Sequence, residues 1–589
     1  MSQPVLIFDG KCGFCRIWIE YWKRLTGDRV TYASSQEVGA QYPQIPSDAF
    51  AKSVQLVRPD GSFVGGARAV FETLGWERAY RELPVLMPVA EAAYRCIARH
   101  RNFFYWVTRL CFGSQVEPAR FQWTQWLFLR ALAVVYLMAF ASLGVQVKGL
   151  LGSQGIAPAG TFLARVGEGL SAERYFAAPT LFWLNADDVV LQTACWLGAA
   201  LSVVLFAGRM ERLMLLSLYV LYLSFSLAGQ DFLSFQWDAL LLEAGFLAIF
   251  FGSAVGTQRT FAWLNRWLVF RLYFLSGYVK LASGDPHWSG LTALDYHYWT
   301  QPLPNWIAWY ADKLPAWFQR GSTWGVLALE LGAPLLIFMP RRIRMAGACG
   351  LLALQALIFL TGNYTFFNIL TAALTLFLFD DQALRWIALR WKGRRATLER
   401  SSRPALIGAV VLTVFLLPLG WARLLEAVAL DAPPLLEEAL TYTAPFQVVN
   451  SYGLFAVMTT TRPEIIIEGS DDGFEWKEYE FPFKPGDVTR APRFVAPHQP
   501  RLDWQMWFAA LRDYRASPWF LTLAERLLQG SPEVLDLFER NPFPDRPPRY
   551  IRAQLYEYRF TDRATRARTG AWWQRELVGE YLPIISLRN

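Results

Sequence analysis

Residues 229–251, GQDFLSFQWDALLLEAGFLAIFF, and residues 270–288, FRLYFLSGYVKLASGDPHW, set charged groups inside otherwise apolar and aromatic sequence. Asp231, Asp238 and Glu243 lie in the first stretch, Arg271 and Lys280 in the second. Apolar runs of this kind are what a bilayer requires of a spanning helix. An ionisable side chain at the bilayer centre nevertheless costs about 2.5–3.5 kcal/mol on insertion scales, so such groups face a bundle interior and pair there, or mark a site. The two stretches therefore predict a helical membrane bundle with a polar interior. Asp231 falls in a connection outside the membrane and Asp238 near the outer end of its span.

Composition supports that class. The 589 residues are 54% hydrophobic, 16% aromatic and only 18% charged, too apolar for a string of soluble domains and too long for one domain. The formal net charge is +8, but Arg and Lys gather in short connections between apolar runs, a placement that fits topology and not a nucleic-acid surface. Nine runs read as spans: 124–146, 188–207, 211–229, 237–255, 266–283, 323–340, 345–362, 366–380 and 404–422. Connections carrying Arg209 and Arg212, Arg259, Arg341, Arg342 and Arg344, and the cluster from Arg385 to Arg403 alternate with base-poor connections at 230–236 and 363–365. Cationic connections stay inside, which predicts an integral membrane protein of the bacterial inner-membrane or endoplasmic-reticulum type with its N-terminus cytoplasmic and its C-terminal domain outside. Three parts are expected: residues 1–115, a bundle over 121–424, and a soluble domain over 425–589.

The start, MSQPVLIFDGKCGFC, has no basic region followed by an apolar core, so no removable leader is expected there. Residues 4–8 read as a strand ending at Asp9-Gly10, and Cys12-Gly-Phe-Cys15 opens a helical pattern to about Leu25. A thiol at a helix N-terminus has its thiolate stabilised by the helix dipole, which lowers its pKa and makes it a nucleophile. A second strand is expected at 30–32 and a hairpin at 53–57 and 62–64 around Pro59-Asp60-Gly61. The spacing leaves three readings of the cysteines open: a redox dithiol, half of a metal site, or two inert thiols. A cytoplasmic dithiol is normally held reduced, so its expected partner is a cytoplasmic thiol reductant, and it does not directly oxidise an exported client.

On a straight helix Tyr273, Ser276, Gly277 and Lys280 share a face, with Arg271 roughly opposite. Lys280 is either a lysine snorkelling to the outer surface or a buried amine whose lowered pKa makes it a base. Glu330, in LALELGAPLL, is a partner for Arg271 or Lys280. Asp238, Glu243, Arg271 and Glu330 are thus the candidates for pairing inside the membrane. His287 and His297 lack the i, i+4 spacing of a helix-borne zinc pair and lie in a Trp/Tyr/Pro-rich connection that reads as an interfacial aromatic belt; neither metal nor cofactor is expected.

Past Trp421 the chain becomes soluble again. Strands are expected at 450–458 and 464–468, a turn at Asp471-Asp472-Gly473, a returning strand at 476–481, helices at 504–513 and 519–528, and a strand at 550–561. That pattern predicts an α+β or β-sandwich-like domain. Nucleophile elbow, phosphate loop, dinucleotide fingerprint and zincin motif are all missing from the sequence. A rim rich in Trp, Tyr and Arg suits a protein partner, with Trp504, Trp507, Tyr452 and Arg552 as candidate contacts.

Asp9-Gly-Lys-Cys12-Gly-Phe-Cys15, with Gly65-Gly66-Ala67, resembles the DCC family of thiol-disulfide oxidoreductase-like proteins over about the first hundred residues. The resemblance implies a thioredoxin-like α/β fold and redox chemistry at Cys12 and Cys15, with Asp9 part of the motif. No proline directly precedes residues 53–57, where thioredoxins carry a cis-proline, so substrate handling is expected to differ. Gly152–Pro158, Phe232–Asp238, Leu241–Glu243, Gly362–Tyr364, Phe367-Asn368, Asn450–Phe455, Leu502–Trp504, Asn541–Pro544 and Pro547–Arg552 resemble the lipase maturation factor family, from Phe121 to about Thr561. That likeness implies a multi-span membrane protein, embedded in lipid, that assists folding of an exported client such as a lipase; eukaryotic members act on secreted dimeric lipases in the endoplasmic reticulum. Tyr273–Lys280 with Trp288 is loosely similar to the segment bearing the catalytic lysine of vitamin K-dependent carboxylases. It implies, as the alternative, a membrane enzyme using Lys280; a third reading is a membrane-anchored thiol-disulfide oxidoreductase.

Overall fold

The computed structural model describes residues 3–83, 85–250, 257–385 and 403–587. The chain forms two compact units, residues 1–120 with 338–346, and residues 121–337 with 347–589.

In the first unit, β1 (Val5–Phe8) is followed by α1 (Gly13–Thr26), β2 (Thr31–Ser34), β3 (Gln55–Val57), β4 (Phe63–Gly65), α2 (Gly66–Thr73), α3 (Leu86–Arg99) and α4 (Arg101–Phe112). The sheet order is β2-β1-β3-β4, with β1 parallel to β2 and the other pairs antiparallel. β1 is the apolar run VLIF because it is covered on both faces: Leu6 packs with Ile19, Val30, Leu56 and Ala69, Ile7 with Ile45, Phe50 and Val57. The hairpin turns through Gly61, whose positive φ of 82° suits glycine. α1 begins at Cys12 and ends where Gly27 takes φ 54°.

The second unit contains α5 (Gln122–Gly144), α6 (Asp188–Phe206), α7 (Glu211–Ala228), α8 (Gln236–Ile249), α9 (Gln258–Ala282), α10 (Ala316–Leu336), α11 (Arg341–Thr361) from residue 347 onward, α12 (Phe367–Thr375) and α13 (Arg403–Ala427). Among the described residues five helices are long and apolar enough to cross a membrane: α5, α6, α7, α11 and residues 406–427 of α13. Nine such segments were expected. The other four fall short for separate reasons. α8 has 14 residues and α12 nine, while α9 and α10 have the length but carry Arg266, Arg271 and Lys280, and Arg320 and Glu330. The expected end of the 237–255 run and the basic residues Arg390, Lys392, Arg394, Arg395 and Arg400 lie outside the described residues.

The C-terminal segment adds β5 (Pro463–Ser470), β6 (Lys477–Glu478), α14 (Arg501–Ala510), α15 (Pro518–Gln529), β7 (Tyr550–Phe560) and β8 (Trp573–Ile585) in one antiparallel sheet of order β6-β5-β7-β8. A single sheet with helices beside it is α+β, not a sandwich. β8 was not expected: its charged residues between Gln574 and Glu576 face solvent on an edge strand and hide the alternation. The strand expected at 450–458 does not form, because its backbone groups bond to bundle side chains instead of a neighbouring strand. Asn450 N donates to Glu243 (2.8 Å), Gly453 N to Gln236 (3.1 Å) and Met458 N to Asp285 (2.5 Å).

One end of the bundle carries the whole C-terminal domain. Ser142 meets His498 (2.9 Å), Gln146 donates to Gln499 O (2.7 Å), Arg526 donates to Gly155 O (3.2 Å), Trp507 donates to Thr300 O (2.9 Å), and Asn363 accepts from Val495 N (2.7 Å). One of these contacts, at Asn363, lies in the 363–365 connection read from the sequence as base-poor.

Candidate functional site

Two places carry chemistry: the cysteine pair of the first unit and the joint between bundle and C-terminal domain in the second.

Strand β1 delivers Asp9 and the turn that follows it to the start of α1. Cys12 caps that helix, its Sγ accepting from Cys15 N at 3.3 Å. The Cys15 thiol also donates to Cys12; this hydrogen bond, with the help of Arg101, lowers the Cys12 thiol to about 6 against the opposing effect of burial. Cys15 moves the other way, raised well above an ordinary thiol by the same hydrogen bond and by burial. The two shifts run in opposite directions, Cys12 toward thiolate and Cys15 toward the protonated thiol, the asymmetry that thiol–disulfide exchange uses. Asp9 accepts from Lys11 N (3.0 Å) and Gln36 Nε2 (2.9 Å) and stands 3.7 Å from Arg101, which also donates to Ala51 O (2.7 Å) and Lys52 O (2.9 Å). Arg101 escaped the sequence reading because it lies on α4, far along the chain, with no motif around it.

In the second unit the suspect charges resolve into separate networks. Asp238 is held by a bidentate Arg501 (2.9 and 3.1 Å) and by the Tyr222 hydroxyl. Arg501 additionally donates to Phe232 O at 2.5 Å. Glu243 pairs with Arg271, and its second oxygen accepts from Asn450 N and from the Tyr452 hydroxyl, both at 2.8 Å. Arg271 closes the loop by donating to Asn450 O (2.8 Å). Lys280 donates to Glu330 (2.7 Å) and to Ser276 O (3.0 Å), and lies 5.2 Å from the centre of the Trp288 ring. Arg271 and Lys280 thus belong to different networks, and Glu330 serves Lys280. Every one of these side chains is buried.

Beside the first two networks a cleft of about 470 Å³ opens, lined by Trp237, Tyr364, Phe455, Trp504, Trp507 and Phe508 among others. Trp237 and Trp504 meet edge to face at 4.8 Å, and the buried indole N–H of each has no acceptor among the described residues. Phe508 (39% exposed) and Val457 (66% exposed) present apolar surface at its mouth. Of the four residues expected to touch a client, Trp504 and Trp507 line this cleft. Tyr452 does not: it is 2% exposed and committed to Glu243. Arg552 lies on β7, paired with Glu468 (2.6 Å) over the Trp476 ring. Asn450, Arg501 and Asn363 were missed as connectors. Asn450 and Asn363 lie within the family-like motifs and Arg501 stands directly before one, Leu502–Trp504, which was the signal for them.

His287 meets Thr292 (3.0 Å) and His297 meets the Tyr364 hydroxyl (3.2 Å). Among the described residues no group of three or more His, Cys, Asp and Glu is arranged to hold a metal ion.

Comparison with known proteins accounts for both places. Residues 6–107 match the family model for DCC1-like thiol-disulfide oxidoreductases, residues 123–386 that for the lipase maturation factor transmembrane domain, and residues 448–583 that for the lipase maturation factor C-terminal domain. The chain is 39% identical to lipase maturation factor 2 of Gallus gallus over 583 residues, covering 78% of this chain and 81% of that protein. It is 37% identical to lipase maturation factor 2 of Homo sapiens over 586 residues (78% and 82%), and 35% identical to lipase maturation factor 1 of Bos taurus over 514 residues (81% and 91%). No solved structure matches it. With its apolar helices, its joined bundle and C-terminal domain, and an added DCC1-like domain at the N-terminus, the chain belongs to the lipase maturation factor family of integral membrane proteins.

Proposed function

We propose that this protein assists the folding or assembly of an exported lipase, and that the client is engaged at the aromatic cleft between the bundle and the C-terminal domain. One observation carries this reading: a cleft rich in aromatic side chains opens where the bundle meets the C-terminal domain, with Phe508 39% and Val457 66% exposed among its lining residues. A non-native client segment offers the apolar side chains that such a cleft and its exposed rim would cover. Trp504, Trp507 and Phe508 are the proposed contacts, while Tyr452, Glu243 and Arg271 position the 450–458 segment that forms one wall.

In this reading the cleft lies outside the membrane and the dithiol domain in the cytoplasm, served by a cytoplasmic thiol reductant; the alternation of basic connections supports that orientation. Toward a disulfide substrate Cys12 acts as nucleophile and Cys15 as resolving thiol. A membrane enzyme using Lys280 is disfavoured, because the amine is already engaged by Glu330, Ser276 O and Trp288; Lys280 is read instead as a pairing residue.

A photo-crosslinking residue at position 508, in cells co-expressing an exported lipase, is expected to capture the lipase before it becomes active. The same group at position 474, where Phe474 is 90% exposed and outside the cleft, serves as control. Equal capture from both positions, or none from 508, contradicts the assignment.

A further inference from the structure

α3 is an amphipathic helix laid over the dithiol domain, yet none of its residues is fully buried. The reason is the space beneath it. A cavity of about 640 Å³ lies between α3, α4 and the body of the domain, walled by Trp18, Trp22, Phe71, Tyr94, Phe104 and Phe112 among others. Its wall includes Cys15 but not Cys12. The two thiols therefore face different surroundings: Cys15 borders the apolar space, and Cys12 caps α1 behind it.

The outer faces of the same two helices are apolar as well. Val85 and Met87 at α3, and Phe103, Trp106 and Leu110 on α4, are each at least 50% exposed, with exposed Arg95, Arg99 and Arg109 nearby. Exposed aromatic and aliphatic residues interleaved with arginine are the signature of a helix resting in a membrane interface. A ligand for the cavity would thus arrive from lipid, and it would meet a dithiol. A saturated chain makes no use of two thiols, whereas a lipid-soluble carrier with a two-electron-accepting ring does.

We propose that the cavity under α3 and α4 takes a membrane quinone and that the Cys12–Cys15 dithiol reduces it. Because only Cys15 borders the cavity, the order of attack on its occupant is the reverse of that toward a disulfide: in the first step Cys15 Sγ adds to a ring carbon, forming an S–C bond, while the thiol's S–H bond breaks and its proton passes to a ring oxygen. In the second, the Cys12 thiolate attacks Cys15 Sγ; the S–S bond forms, the S–C bond breaks, and the ring leaves with the electron pair, taking one proton from solvent to become the hydroquinone. Two thiols are oxidised to one disulfide and one quinone is reduced. The proposal rests on the redox reading of the pair and adds its oxidant.

The test uses the purified full-length chain in lipid nanodiscs, reduced, desalted and free of oxygen. A decyl-substituted benzoquinone is one substrate and a water-soluble aromatic disulfide the other. The expected result is one hydroquinone formed per Cys12–Cys15 pair, with Cys15 trapped as a quinone adduct in Cys12→Ser and no adduct at that site in Cys15→Ser. Ala93→Trp and Ala90→Phe, which fill the cavity, are expected to slow quinone reduction at least tenfold while the disulfide reaction stays within twofold, which also reports that the domain is folded. Quinone reduction no faster than in the Cys12→Ser/Cys15→Ser double variant, with the disulfide reaction intact, overturns the proposal alone. Failure of both reactions overturns the redox reading beneath it. Undiminished quinone reduction in both filled variants places the reaction outside the cavity and likewise overturns the proposal.

Discussion

Cys12 and Cys15 share a helix start, yet the hydrogen bond between them has a direction, and that direction gives each its role. Cys12 receives it, with Arg101 adding positive charge, and is lowered to about 6; Cys15 gives it from a more buried position and is raised. Alkylation of Cys12 by iodoacetamide, followed by mass spectrometry, should therefore rise with pH through a midpoint near 6, well below the ordinary thiol value of about 8.5. Arg101→Met removes a nearby cation and should move that midpoint upward. A midpoint left near 8.5 in the wild-type chain would mean that the thiolate is not stabilised. The strand, dithiol and helix were legible in residues 4–25, because local spacing encodes them. Arg101 was not, since its role depends on α4 folding back over the motif.

At the scale of elements, buried ion pairs fasten the bundle to the C-terminal domain and fasten helices to one another. Breaking such a pair from one side leaves an uncompensated charge and costs about 3–5 kcal/mol, whereas replacing both partners by apolar groups is often neutral. Arg501→Met should thus destabilise the chain by about that amount, measured by thermal unfolding in detergent, and adding Asp238→Leu should recover most of the loss. Lys280→Met should be damaging alone and largely rescued by Glu330→Leu, with rescue of lipase maturation as well as stability; a catalytic lysine would give back stability without function. The charges themselves were visible in 229–288, and their cost implied partners. The partner of Asp238 was not legible, because Arg501 stands 263 positions away and no spacing rule joins them. The same limit explains the 450–458 segment: its apolar alternation reads as strand, but Glu243, Gln236 and Asp285 take the backbone hydrogen bonds that a neighbouring strand would need.

At the scale of the whole molecule, we propose that the helices whose connections at one end hold an aromatic cleft beside an α+β domain form a platform for something outside the membrane, and that the DCC1-like domain adds thiol chemistry. With the native cysteines other than Cys12 and Cys15 replaced, a membrane-impermeant maleimide applied to intact cells should label Phe474→Cys and spare Cys12; the reverse pattern would invert the proposed orientation. The central claim is tested most directly by the specific activity of an exported lipase, measured as activity per amount of lipase protein. The assay uses cells lacking any other maturation factor, supplied with this chain or with Phe508→Asp, which places a charge at the cleft mouth. The account predicts that the wild-type chain raises specific activity, and that Phe508→Asp loses most of that gain while lipase synthesis and the level of the variant stay unchanged. Equal lipase specific activity with wild type, with Phe508→Asp and with no added factor would contradict it.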